Sequence, residues 1–172
     1  MIIGGGCFWC VEAAFNQIKG VKSAISGYCG GDEKDANYDT ICSGNTEHVE
    51  VVKITFDPEQ VSYERLLMLF FSVHDATQLN RQGNDIGTQY RSVIFYLDES
   101  QQKIAEKMIE TFNRENIFDQ KVVTSIEKAK QFYIAEDYHQ GYYLKNPNKG
   151  YCAAVIAPKF QKFKAQHSEL LK

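Results

Sequence analysis

The chain has 172 residues, with 19 Lys and Arg against 22 Asp and Glu for a net charge of −3. That balance excludes the concentrated cationic face that nucleic acid or an anionic membrane requires of its partner. Hydrophobic residues at 44% and only three prolines exclude disorder and predict one folded domain spanning residues 1–172.

In chain order, Ile2-Ile3 running into Gly4-Gly5-Gly6 reads as a short buried strand followed by a tight turn. Val11, Ala14, Phe15 and Ile18 keep helical spacing, and Gly20 stops that helix. Residues 21–27 are predicted as a second strand. Residues 28–46 are polar and glycine-bearing, a long loop of the kind that carries function. Residues 48–56 alternate, with Glu50, Val52, Ile54 and Phe56 on one face, so Glu50 is a carboxylate on an apolar surface.

Ser62 caps a helix carrying Leu66, Leu67, Phe70 and Val73. A second glycine-bearing loop, 74–89, leads into a strand over 90–97. The order β-α-β-β-α-β predicts an α/β (α+β) two-layer sandwich around a split βαβ, a ferredoxin-like core with a mixed sheet. A further helix (Ile104, Met108, Ile109, Phe112) and a strand over 122–126 follow. Residues 135–145 are predicted helical despite Gly141, and 153–156 as a last strand before a solvated basic tail around Lys159–Lys164. The longest apolar run, 66–71, is far short of the roughly 20 residues that a bilayer span needs. With no basic-then-apolar signal stretch at the start, and five cysteines (Cys7, Cys10, Cys29, Cys42, Cys152) that cannot all pair within a monomer, the expectation is a cytoplasmic protein with active thiols.

The sharpest local feature is Gly6-Cys7-Phe8-Trp9-Cys10 at a predicted strand-to-helix junction. There the free N–H groups and the helix dipole favour a thiolate at Cys7. Three chemistries fit. One is a dithiol that exchanges with protein disulfides. Another is half a zinc site completed by histidines or another cysteine, weakened because no second CxxC or HxxxH pair accompanies it. The third is a Cys7 nucleophile acting on an oxidised substrate, with Cys10 as resolving thiol.

Several separated motifs are similar to those of the peptide methionine sulfoxide reductase A family. They are Gly-Gly-Cys7-Phe8-Trp9, Gly27-Tyr28-Cys29-Gly30-Gly31, the run Cys42-Ser43-Gly44 through His48-Val49-Glu50, His74-Asp75, the stretch from Arg81-Gln82-Gly83 through Gln89-Tyr90-Arg91-Ser92, Ala135-Glu136-Asp137-Tyr138-His139-Gln140 and Asn146-Pro147. They stand in family order from residue 4 to about residue 152. The resemblance implies reduction of the S-epimer of methionine sulfoxide, free or in proteins, as protein repair after oxidative damage. It implies Cys7 as nucleophile, Phe8 and Trp9 as an apolar slot for the substrate methyl group, and Tyr28, Asp85 and Tyr90 around the sulfoxide oxygen. A sulfenic acid on Cys7 would then be resolved as a disulfide and reopened by thioredoxin or dithiothreitol, with no resident cofactor or metal in a monomer.

Two departures qualify that expectation. Thr40 stands where the resemblance puts a proton-donating acid, and a Thr hydroxyl is too weak an acid to give up its proton. Tyr28, Tyr90 and Asp85 are then expected to carry the oxygen, with Asp39 as a neighbouring alternative and Glu50 as the candidate that its place on an apolar strand face suggests. The resolving thiol is Cys10 or Cys152. Cys10 is favoured because a strand over 153–156 would hold Cys152 rather than let it swing, with Cys152 second in a relay. Cys42 reads as structural, and Cys29 has no role by the resemblance.

Overall fold

The computed structural model describes residues 1–172 and opens on the predicted strand and helix, β1 (Ile2–Gly4) and α1 (Phe8–Phe15). β2 (Val21–Cys29) and β3 (Val49–Phe56) follow, with a short helix, α2 (Tyr38–Cys42), in the loop between them. Next come α3 (Tyr63–Val73), a small hairpin of β4 (Arg81–Gln82) and β5 (Asp85–Ile86), β6 (Val93–Tyr96) and α4 (Glu99–Arg114). The last third holds β7 (Ser125–Lys128), β8 (Tyr133–Ile134), α5 (Tyr142–Lys145) and α6 (Ala157–Gln166).

The sheet order is β7-β6-β1-β3-β2-β8. β1 lies antiparallel between β3 and β6, and β3 lies antiparallel to β2, which is the split βαβ that the element order predicts. β7 runs parallel to β6 and β8 antiparallel to β2, so the sheet is mixed. Alternation along β3 divides its two faces. Val52 and Ile54 join Phe8, Val11, Phe15, Leu66, Leu67 and Phe70 in the main core beneath the helices. Val49 and Val51 pack on the opposite face with Ile2, Cys29, Val93 and Phe95. Each fully buried aliphatic or aromatic side chain contributes about 1.5–3 kcal/mol.

Helix ends match their chemistry. The Ser62 hydroxyl accepts from Arg65 N at 3.1 Å and Asp98 accepts from Gln101 N at 2.9 Å. The two long loops are not structureless, since one contains α2 and the other the β4–β5 hairpin. The C-terminal third differs most from the sequence reading. Residues 153–156 are not a strand: Cys152–Ile156 form a π-helical turn that continues into α6. Ala153 and Ala154 favour helix, and the widened turn lies just ahead of Pro158, which has no N–H to donate. The predicted helix over 135–145 is three pieces, a 3₁₀ turn at Asp137–His139, Gly141 at φ +65°, and α5. No helix is long and apolar enough to cross a membrane.

Candidate active site

The turn from β1 into α1 sets the position of Cys7. Gly6 adopts φ +88°, and a Cβ there would come within 2.7 Å of the Gln82 side chain, so the close passage of this turn requires glycine. Gly6 N donates to Tyr90 O at 3.2 Å, tying the turn to the segment before β6. Cys7 is the N-cap of α1, and the following N–H, that of Phe8, donates to Glu50 Oε2 at 3.1 Å. Glu50 reaches this point because it lies on the β3 face that meets α1.

Cys7, Phe8, Trp9, Tyr38, Glu50, Asp85, Tyr90 and Tyr151 line one cleft of about 190 Å³. Pockets for drug-sized ligands run to about 300 Å³ and above. A cleft this small takes a single side chain and not a folded disulfide hairpin. Six of the sequence-selected residues therefore meet: Cys7, Phe8, Trp9, Glu50, Asp85 and Tyr90. Four stay outside, the candidate resolving thiols Cys10 and Cys152 and the two polar residues Tyr28 and Thr40.

Tyr28 pairs with Glu50 across β2 and β3, yet its ring is fully buried against Phe8 and its hydroxyl donates to Glu136 Oε2 at 2.7 Å. It supports the cleft from behind. Thr40 lies in the first turn of α2, where its N–H and hydroxyl both donate to Asn37 Oδ1, at 3.0 and 2.7 Å. Its hydroxyl closes a helix cap and does not line the cleft. Tyr38, the first residue of that capped helix, does, and its N–H donates to Glu136 Oε1 at 2.9 Å. The carboxylates that do line the cleft are Glu50 and Asp85.

Tyr38 and Tyr151 were not singled out from the sequence. The Asn37-x-x-Thr40 cap was the available signal for Tyr38, because it nucleates a helix inside a loop and so orients its first side chain. Nothing local marks Tyr151, whose hydroxyl donates to Asp85 Oδ2 at 2.5 Å from a distant stretch of chain. The Trp9 indole is held on three sides. It stacks on Tyr142 at 3.8 Å, meets Tyr151 edge-on, and donates through Nε1 to His139 Nδ1 at 3.0 Å. Glu12, on the next turn of α1, fastens this wall by accepting Gly141 N on both carboxylate oxygens at 3.0 Å.

Burial dominates the electrostatics. Glu50, 2% exposed, has its pKa pushed up to about 8, chiefly by burial and against the opposing Phe8 N–H, so it holds a proton at neutral pH. Burial also pushes Tyr38 and Tyr90 well above the usual phenol range, and both remain O–H donors. Cys7 departs from the sequence expectation. Its thiol is pushed up by burial, then by the hydrogen bond it donates to Cys10, then by Glu50, and these outweigh the one backbone N–H that favours the thiolate. Cys10 is pulled down, first by that hydrogen bond and, after the opposing effect of burial, by Lys159.

Behind the dithiol, Cys152 is fully buried in an apolar cluster with Ala13, Tyr143, Ile156 and Phe160, and Cys10 packs on that cluster's edge. Cys7, Cys10 and Cys152 thus lie in succession. All five cysteines are free thiols. Cys29 is buried on the opposite sheet face against Lys130 O, and Cys42 is exposed on α2. No group of three His, Cys, Asp or Glu side chains is arranged to hold a metal ion.

The profile of the family described as peptide methionine sulfoxide reductase matches residues 1–171. The chain is 54% identical to the peptide methionine sulfoxide reductase MsrA of Chromobacterium violaceum over 99% of its length and 97% of that protein. It is 51% identical to the MsrA of Deinococcus radiodurans, over 99% of this chain and 83% of that one. Among solved structures it is similar to Saccharomyces cerevisiae Mxr1 in reduced form, with a TM-score of 0.80 and 33% identity over 88% of this chain and 87% of that one. It is also similar to methionine sulfoxide reductase A of Corynebacterium diphtheriae, with a TM-score of 0.75 and 34% identity over 89% and 76% of the two chains.

Proposed function

The chain belongs to the peptide methionine sulfoxide reductase family and reduces methionine sulfoxide, and from that premise we propose how its residues carry the reaction and close the cycle. The substrate is the S-epimer, free or protein-bound. Its methyl group rests against Phe8 and Trp9, where a sulfur–aromatic contact favours the thioether and its oxide. Its oxygen faces Glu50, Tyr38 and Tyr90. Asp85, fixed by Tyr151, orients the rest of the methionine.

Glu50 is the general acid. A carboxyl with a pKa of about 8 is protonated at neutral pH and gives its proton to an oxygen that becomes more basic as the S–O bond breaks. Cys7 attacks the sulfoxide sulfur as it loses its proton. In net terms, one Cys7 thiol and one sulfoxide yield a Cys7 sulfenic acid and methionine. The thiol sulfur is oxidised by two electrons and the sulfoxide sulfur is reduced by two. Cys10 then displaces hydroxide, which leaves as water with a proton, and a Cys7–Cys10 disulfide forms. A thioredoxin-type dithiol reopens it, with Cys152 available as a second relay thiol. The scheme uses residues 1–172 as one catalytic domain, needs no resident cofactor and proceeds in a monomer.

The observation that carries this reading is the convergence of Cys7, a protonated Glu50 and an aromatic wall in a cleft of side-chain size. A general disulfide oxidoreductase needs a dithiol open to a protein surface, whereas Cys7 is 8% exposed. The test is dithiothreitol-supported turnover of N-acetyl-methionine sulfoxide, each epimer separately, for the wild type and Cys7→Ser. S-epimer activity that vanishes in Cys7→Ser is the expected result. Activity on both epimers, or a Cys7→Ser variant that still turns over, overturns the scheme.

A further inference from the structure

The dithiol has a second side. Cys10 borders a narrow recess formed with Val73, Ile156, Lys159 and Phe163. Val73, Lys159 and Phe163 also line a much larger cleft of about 450 Å³ between the end of α3 and α6. This cleft shares no residue with the substrate cleft. Its volume falls within the range of about 300–1,000 Å³ typical of small-molecule sites.

Charge distinguishes its walls. Lys159 and Lys162 lie three residues apart on one face of α6, and neither takes part in a salt bridge. Asp119, across the cleft, is likewise unpaired, while Phe71, Phe118 and Phe163 supply apolar surface between them. Asp75 at the rim is already engaged by Thr77 and Gln78. Two free cations facing a free carboxylate across an apolar floor complement a zwitterion with more negative than positive groups. A position beside the recess of Cys10 gives such a ligand a target if it carries a thiol.

We propose that the α3–α6 cleft binds a small peptidic thiol, its carboxylates on Lys159 and Lys162 and its ammonium group toward Asp119, and delivers its sulfur to Cys10. This rests on the Cys7–Cys10 disulfide proposed above. The bound thiolate attacks Cys10 Sγ, the Cys7–Cys10 bond breaks, and Cys7 leaves as a thiolate that takes up a proton. A second molecule of the same thiol attacks the ligand sulfur of the mixed disulfide, releasing its own symmetric disulfide and the Cys10 thiolate. The reductant loses two electrons and the dithiol gains two. Access selects the sulfur attacked, because Cys7 is buried and faces the substrate cleft whereas Cys10 is half-buried and borders the recess. Reductant and sulfoxide then use different faces of α1.

The experiment compares glutathione, a charged peptidic thiol, with uncharged dithiothreitol as reductant for N-acetyl-methionine sulfoxide. Both are measured as kcat/KM for the reductant in wild type and Lys162→Glu. Lys162 is solvent-exposed at the outer wall, so its reversal leaves the core intact. The glutathione-to-dithiothreitol ratio is expected to fall about tenfold at low ionic strength and to recover toward the wild-type value at high salt. An unmoved ratio overturns the cleft as the docking site. Disulfide mapping after one turnover without reductant separates the two layers. A Cys7–Cys10 linkage with an unmoved ratio overturns this proposal alone, and a linkage lacking Cys10 overturns it together with the reading it rests on.

Discussion

The first turn of α1 carries two sulfurs three residues apart, and the regions they face are opposites. On the Cys7 side, Glu50, Tyr38, Tyr90 and Asp85 crowd a small cleft in which burial keeps Glu50 protonated. On the Cys10 side, the surroundings are the apolar cluster around Cys152 and the ammonium group of Lys159. The same backbone hydrogen-bonding end serves both, yet the Cys7 thiol is pushed up and the Cys10 thiol pulled down. The helix terminus therefore does not dominate either sulfur. Burial and the hydrogen bond between the two thiols do, with Glu50 adding to the rise at Cys7 and Lys159 to the fall at Cys10.

Glu50→Gln breaks that comparison most severely, because it removes the acid from the front alone. The rate of sulfoxide reduction in a single turnover is expected to fall about a hundred- to ten-thousand-fold. In the wild type this step declines as pH rises through about 8 and Glu50 loses its proton, and stopped-flow measurement of the variant should show no such limb. The same residue has a stability signature. Its folded pKa of about 8 lies above the ordinary value of 4.5, so the folded chain holds a proton that the unfolded chain has given up. Its contribution to stability falls as pH rises from about 4.5 through 8, and Glu50→Gln should melt higher than wild type above pH 8. A Tm difference that does not change with pH contradicts this.

Cys10→Ser tests the back alone. Thioredoxin-supported turnover is expected to fall at least about tenfold while one equivalent of methionine still forms per chain, because attack by Cys7 precedes resolution. If Cys152→Ser instead abolishes turnover and Cys10→Ser does not, the order of the sulfurs is wrong. Tyr38→Phe removes one donor to the oxygen and should lower kcat about tenfold with little change in KM, read by steady-state kinetics. The smallest effect belongs to Thr40. Thr40→Val leaves the Asn37 cap on the Thr40 N–H, costs under about 1 kcal/mol in Tm measurements, and leaves kcat within about twofold. Thr40→Glu should bring no gain in turnover, since Glu50 already occupies the cleft.

The front of the molecule was largely legible. Gly4-Gly5-Gly6 before a CxxC marked the turn, and an acid on an apolar strand face marked Glu50, because alternation makes a misplaced charge visible. Tyr28 was misleading because adjacency to a motif carries no direction. Its side chain turns beneath Phe8 toward Glu136, and Tyr38 reaches the cleft instead. The C-terminal third was poorly legible. β-Branched and apolar residues at 155–156 suited a strand, but alanines and packing against α1 made the segment helical and buried Cys152.

By itself the sequence determined the split βαβ order, the strand-to-helix turn bearing Cys7, the family and the chemistry of a thiol acting on an oxidised substrate. These depend on local spacing and on periodicity along one element. The partners of each group were decided only in three dimensions: Tyr38 and Tyr151 in the cleft, Glu136 beneath Tyr28, and Lys159 beside Cys10. So was the protonated state of Glu50, because desolvation and cross-chain hydrogen bonds exist only once the sheet and helices have closed around it.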